Sequence, residues 1–359
     1  MNQNELYERW LALRASEKRL FALDAANKLN VTECELVASA CTAPPASPGP
    51  VAVRLDVPDW VAFVSALPKL GLVKAITRNP TAVIEVEGNY DRIEFFGAHG
   101  QSLGTIDLRI FLRVWRYAFF VREETSRGTS ESLQIFDETG RAIHKIYVRA
   151  ETQRDAFLEL IETYRAKSSA ALELTPPAQV RPVRPDAEVD VDGLRQAWLA
   201  MTDTHEFFGL LQRFSVARTQ ALRLAGPDLA YPVEQDSLER ILQSAAAAGL
   251  SIMVFVGNAG IIQIYSGTVT KVVPTGPWIN VLDPTFNLHV QRDFIDSAWV
   301  VRKPTKDGNV TSLELYTREG EQIALLVGLR KPGQTENPAW RSAVEALPAA
   351  LNQNVTSST

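Results

Sequence analysis

The chain has 359 residues, 46% hydrophobic and 22% charged, an ordinary composition for a soluble globular protein and more length than one compact core usually organises. The net charge of -5 excludes a general nucleic-acid binder, because neutralising phosphates needs a basic surface. The two cysteines, Cys34 and Cys41, lack CxxC spacing, which fits a reducing compartment and excludes a cysteine-rich zinc site.

The opening MNQNELYERW has no basic stretch followed by an apolar core, so no signal peptide is expected. Each half reads as helix, helix, then strands. The prolines and absent periodicity of 167–192 predict an exposed linker. Beyond it, Asp192–Ala200 reads as a short helix, and Asp203 as the cap of a helix over HEFFGLLQRF. Asp236, Ser237, Leu238 and Glu239 open an amphipathic helix ending near Gly249. The stretch 245–264 is apolar enough to span a bilayer, but Gly249, Gly257, Asn258 and Gly260 break it. It reads as helix end, strand, turn, strand. Further strands are predicted at TKVVP, WINVL, FNLHV, AWVVRK, SLELYT and QIALLVG, with a TREG turn matching DETG in the first half.

Landmarks recur at nearly constant separation. Trp10 and Trp198 lie 198 − 10 = 188 apart, Gly71 and Gly249 lie 249 − 71 = 178 apart, and Asn79 and Asn258 lie 258 − 79 = 179 apart. The block at 127–143 lies against 307–323 at a shift of 180. The chain is therefore an internal duplication, too long in period for a solenoid, so each copy should be a domain. The expected fold class is α+β, two similar halves each with a large, mostly antiparallel sheet flanked by helices. The expected division is an N-terminal repeat at 1–166, a linker at 167–192, a C-terminal repeat at 193–350 and a tail at 351–359.

Signatures of phosphate-loop, dinucleotide, zinc-protease and serine-hydrolase chemistry are absent. His99, His144, His205 and His289 show no metal-cluster spacing. His205, in MTDTHEFF beside Phe207 and Phe208, is the most suggestive, because an imidazole among aromatics can offer a nitrogen to haem iron. Its spacing alone equally fits a helix-capping or surface histidine. Arg109, in IDLRIF, reads as a strand-end charge and aligns with His289; His144 as a surface or packing residue; His99 as a turn residue. Trp10 and Trp198, at equivalent repeat positions, read as core.

The blocks VKAITRN (73–79), IDLRIF (106–111), MTDTHEFF (201–208), FVGNAGIIQI (255–264), GPWINVLDPTFNLHV (276–290) and WVVRKPTKDGNVTSLEL (299–315) resemble the bacterial hemin-degrading factor family over nearly the whole chain. The resemblance implies non-covalent haem b in a cleft. His205 would be the proximal iron ligand and Arg109, from the first half, the distal residue. Both would carry any catalysis. It implies that Arg218, Lys303 and Arg330 hold the propionates, since carboxylates leaving water need cationic partners. Val327 and Leu325 stand where some members have a tyrosine and a glutamine, a departure that bears on propionate hydrogen bonding. The implied role is cytoplasmic haem utilisation and iron acquisition, by degradation of haem or, alternatively, as a non-enzymatic chaperone feeding a separate haem oxygenase. Implied partners are haem, an inner-membrane haem importer and that oxygenase; nucleic acid and membrane embedding are not expected.

Overall fold

The computed structural model describes residues 2–17, 20–44, 46–126, 128–167, 171–178, 182–331 and 333–350. The tail at 351–359 and linker residues 168–170 and 179–181 lie outside the described residues. The chain divides into two compact units: unit 1 comprises Met1–Arg78, Ile84–Ala178 and Gly257–Gln263, and unit 2 comprises Asn79–Val83, Gln179–Val256 and Ile264–Thr359.

The N-terminal half supplies α1 (Gln3–Ser16), α2 (Ala22–Leu29), α3 (Glu33–Ser39), β1 (Val51–Leu55), α4 (Trp60–Ser65), β2 (Gly71–Arg78) and β3 (Ala82–Gly88). It continues with β4 (Arg92–Phe96), β5 (His99–Leu103), β6 (Asp107–Phe111), β7 (Trp115–Thr125), β8 (Gly128–Asp137), β9 (Ala142–Thr152) and α5 (Arg154–Tyr164). Unit 1 is built on an antiparallel sheet with the order β1-β7-β8-β9-β2 and a meander β4-β5-β6. Strand periodicity places the core. Along β7, Trp115, Tyr117, Phe119 and Val121 are buried, and Phe119 joins Trp10, Leu36 and Phe136 under α1 and α3. The next residue, Phe120, points to the other face and meets Phe157 of α5.

The C-terminal half supplies α6 (Val191–Leu199), α7 (Glu206–Phe214), α8 (Arg218–Leu224), β10 (Ala230–Val233), α9 (Ser237–Ala248), β11 (Ser251–Gly257), β12 (Ile261–Thr268) and β13 (Val272–Thr275). It ends with β14 (Trp278–Leu282), β15 (Phe286–Gln291), β16 (Ser297–Lys303), β17 (Val310–Tyr316), β18 (Gln322–Gly328) and α10 (Pro338–Glu345). Unit 2 repeats the plan, with antiparallel order β10-β16-β17-β18-β11 and a meander β13-β14-β15. Trp198, Phe207, Ala221, Leu222, Val301 and Tyr316 share its core cluster. The fold class is thus α+β with internal duplication, each unit carrying a large antiparallel sheet flanked by helices.

The stretch 245–264 is helix end, strand, turn and strand: α9 stops at Gly249 in the left-handed region (φ 61°) and β11 and β12 follow. Among the described residues no helix is long and apolar enough to cross a membrane. Two local readings are corrected. Helix α6 begins at Val191, because the Asp190 side chain accepts from the Gly193 amide and caps it. His99 opens β5 rather than sitting in a turn. The described linker residues are mostly exposed, as expected, and are tied down at places: the Tyr117 hydroxyl donates to Glu173 O at 2.7 Å, and Gln220 Nε2 donates to Arg184 O at 2.6 Å.

Candidate functional site

Unit 2 gathers four of the named residues around α6, α7 and β16–β18. Trp198 ends α6 in the core and fixes it to the sheet by donating from Nε1 to Arg302 O at 3.0 Å. Phe207, in the first turn of α7, packs edge-on against Trp198 with ring centroids 4.5 Å apart. That contact sets the start of α7, and His205 stands at its N-cap position.

The His205 ring is 86% exposed. Its Nδ1 lies 2.6 Å from Asp203 Oδ1, and the same oxygen accepts from the His205 amide at 2.9 Å. Asp203 therefore does not cap α7, as the sequence suggested; it holds the imidazole. Because a carboxylate accepts, Nδ1 donates to Asp203, and Nε2 is the ring nitrogen left to face a ligand. The hydrogen bond from the His205 amide is the first cause that holds the Asp203 carboxyl below its usual range, and the Arg330 charge adds to it. Arg330 is thus within electrostatic reach of Asp203. Its Nη1 is buried without a hydrogen-bond partner among the described residues.

Arg218 and Lys303 meet on one buried carboxylate, Glu314. Arg218 donates from Nε at 2.9 Å and Nη2 at 2.8 Å to Oε2, and Lys303 pairs with Oε1. The Ser312 hydroxyl adds a bond to Oε1 at 2.9 Å, and the Tyr316 hydroxyl donates to Oε2. Burial alone would raise the Glu314 carboxyl, but the two cations pull it far below its usual range. Burial lowers Lys303 against the attraction of Glu314. Both cations also lie over the Phe207 ring, at 5.0 Å for Arg218 and 4.8 Å for Lys303. Helix α7 and the cationic pair therefore share one aromatic support.

Gly209 stands four residues after His205, on the same side of α7, and a Cβ there would meet nothing within 4 Å. Phe208 beside it is 67% exposed. The arrangement is an open imidazole flanked by an exposed aromatic and an uncrowded glycine, with an unpartnered arginine donor nearby. It suits a flat ligand that offers a metal and carboxylates. Val327 and Leu325 are apolar neighbours on β18, with Leu325 directly opposite Glu314 across β17.

In unit 1, Arg109 sits at the centre of β6, not at a strand end, opposite Gln101 of β5. Its guanidinium pairs with Asp107 and donates to Leu108 O at 3.0 Å. Burial raises the Asp107 carboxyl although Arg109 opposes this. His144 is a buried packing residue bonded through Nδ1 to the Thr77 hydroxyl at 2.9 Å and through Nε2 to the Tyr90 hydroxyl at 2.7 Å. Burial lowers its pKa to about 3, so it stays neutral. In unit 2, His289 bonds Asn280 at 2.7 Å. Among the described residues no cluster of three or more His, Cys, Asp or Glu could hold a metal ion. The sequence did not single out Asp203 as the partner of the His205 ring, nor Glu314 at all.

The model of the haemin-degrading HemS/ChuX domain matches residues 30–164 and again 215–347. This chain belongs to that family. The two matches are the duplication read from spacing. Arg109, Arg218, Lys303 and Arg330 fall inside them, whereas His205 precedes the second. This HemS/ChuX-family chain is 41% identical over 347 residues to the hemin transport protein HmuS of Yersinia pestis, covering 95% of this chain and 97% of that one. The solved structure of holo-PhuS, a heme-binding protein from Pseudomonas aeruginosa, superposes with a TM-score of 0.92 at 42% identity, covering 97% of this chain and 100% of that one. The heme degrading enzyme ChuS of Escherichia coli O157:H7 superposes with a TM-score of 0.89 at 38% identity, at the same coverage.

Proposed function

We propose that this chain is a cytoplasmic haem-binding protein of haem utilisation that takes haem b non-covalently through His205 and degrades it to release iron. The observation that carries the binding reading is the His205–Asp203 pair: an exposed imidazole whose Nδ1 is bonded to a carboxylate at 2.6 Å, leaving Nε2 for iron. Arg330, Arg218 and Lys303 are our candidates for the propionates, and the unpartnered Arg330 Nη1 supports the first of these. Arg109, as the family resemblance implies, is our candidate for the opposite face of the haem.

A second reading, carriage of haem from an inner-membrane importer to a separate oxygenase, draws support from the exposure of His205, since an accessible ligand exchanges readily. The relatives divide in the same way, between a transport or binding protein and a degrading enzyme.

The test is a haem titration of the purified protein, followed by a reductant under air with catalase present. Tight one-to-one binding with loss of the Soret band and release of iron supports degradation; binding with an intact Soret band supports carriage. His205→Ala should weaken binding and shift the spectrum, while Arg109→Ala should alter the distal side alone. Unchanged spectra in both variants would remove the site assignment.

A further inference from the structure

Strand β17 is buried along its whole length, and Glu314 within it has no exposed surface. An ionised carboxylate there is sustained only by partners that replace water. Both of its oxygens are saturated by Arg218, Lys303, Ser312 and Tyr316. Two cations and one anion leave the group at +1, so a ligand that brings carboxylates meets half the positive charge that Arg218 and Lys303 suggest by themselves. The residues opposite Glu314 on the neighbouring strands are Trp299 and Leu325, and neither offers an alternative carboxylate partner there.

The sheet does not require this carboxylate. At the shift of 180, the first half has Gln134 where the second has Glu314, and Ser132 where the second has Ser312. Gln134 is also buried and donates from Nε2 to the Ser132 hydroxyl at 3.1 Å. The same strand position is therefore filled by a neutral amide in one unit and by an ionised acid in the other, and only the second has an arginine and a lysine on it.

We propose that Glu314 is a built-in competitor for the carboxylates of the bound porphyrin. It holds Arg218 and Lys303 in place against the Phe207 ring and is the anion that an incoming carboxylate must displace or share. It thereby weakens retention and favours release. This rests on the haem-binding reading above and adds a determinant of affinity that the ligand-contacting residues alone do not supply.

The competition acts only on carboxylates, which gives the experiment its control. Haemin and haemin dimethyl ester, which lacks free carboxylates, are titrated in the same mild detergent into the full-length wild type and Glu314→Gln. Dissociation is followed by capture in excess apomyoglobin. Glu314→Gln is expected to tighten haemin about tenfold, through slower dissociation, the size of one charge-assisted hydrogen bond. The ester should change less than about twofold, within the scatter of a neutral substitution. Weaker haemin binding, or parallel changes for both ligands, would overturn the proposal and make Glu314 a scaffold residue. Should Glu314→Gln fail to fold, Lys303→Met carries the comparison. It leaves Arg218 and Glu314 balanced and should weaken haemin, and adding Glu314→Gln should restore affinity; a double variant no tighter than Lys303→Met overturns the proposal. Failure of the folded wild type to bind either ligand would overturn the haem reading itself, an outcome distinct from a wild type that binds and a variant that does not respond.

Discussion

An imidazole gives a metal only one nitrogen, so the partner of the other nitrogen decides its tautomer and orientation. In this protein that partner is Asp203, whose Oδ1 also fixes the His205 amide. On the proposed iron-binding role of His205, Asp203→Ala is expected to lower haem affinity about tenfold, the usual effect of losing the carboxylate that orients such a histidine. Asp203→Asn keeps an acceptor but loses the charge, and should fall between the two. Haem titrations check this, and equal affinities for all three would show that the ring needs no orienting partner. His205 stood out as a candidate because MTDTHEFF carries a family resemblance. Asp203 was misread as a helix cap, since an aspartate bonding an amide two residues on looks in sequence like one bonding into the first turn. Glu314 was hidden by distance: its partners Lys303 and Arg218 lie 11 and 96 residues away in the chain. Its one signal was a lone carboxylate inside SLELY.

At the scale of elements, α7 is divided by function. Phe207, Leu210 and Leu211 are buried, while Phe208 faces outward beside Gly209. A glycine inside a helix costs about 0.5–1 kcal/mol relative to alanine. Nothing crowds Gly209, so packing does not demand it, and the open space it leaves beside His205 suits a macrocycle. Gly209→Ala should therefore raise stability by about 0.5–1 kcal/mol in thermal or denaturant unfolding. Gly209→Leu should fold and lose haem affinity; wild-type affinity in that variant would remove this face of α7 from the site. Helix α8 makes a related point. Its first residue is Arg218, whose charge opposes the helix dipole, whereas at a shift of 218 − 33 = 185 helix α3 opens with Glu33, which suits it. Glu33 is in turn paired with Arg78 and Lys145, so unit 1 reverses the charges of unit 2 at this position. Helices α6, α7 and α9 and the strands β11–β18 were legible because their hydrophobic periods are strong, whereas the short α8 and α10 were not singled out. This inversion was not, because sequence patterning records which positions are polar and not which charges meet.

At the scale of the molecule, the repeats in sequence and the units in space do not coincide. Asn79 and Asn258 open equivalent tight turns, with their amides donating to the carbonyls of Ala82 and Ile261 three residues on. Asn79 Nδ2 donates at 2.8 Å to Ile323 O, and Asn258 Nδ2 donates at 2.9 Å to Ile143 O, which are themselves 323 − 143 = 180 residues apart. Asn79 belongs to unit 2 and Asn258 to unit 1, so each half of the sequence lends its turn to the unit built mainly from the other. The spacing of the repeats announced two domains, yet could not announce this exchange, because a repeat is blind to which copy its side chains serve. The consequence for stability is crossed. Replacing Asn79 by alanine removes the side-chain donor of one carbonyl, and replacing Asn258 removes that of two, Arg78 O and Ile143 O, at a cost of about 1–3 kcal/mol for each. Asn258→Ala should lower amide-exchange protection in β2 and β9 of unit 1, although it lies in the C-terminal half. Asn79→Ala should lower protection in β17 and β18 of unit 2, although it lies in the N-terminal half. Native-state hydrogen exchange resolved by strand reads both variants. Loss of protection confined to the half of the sequence that carries the substitution would show that the turns stabilise their own repeats, and that the exchange of segments contributes nothing to either unit.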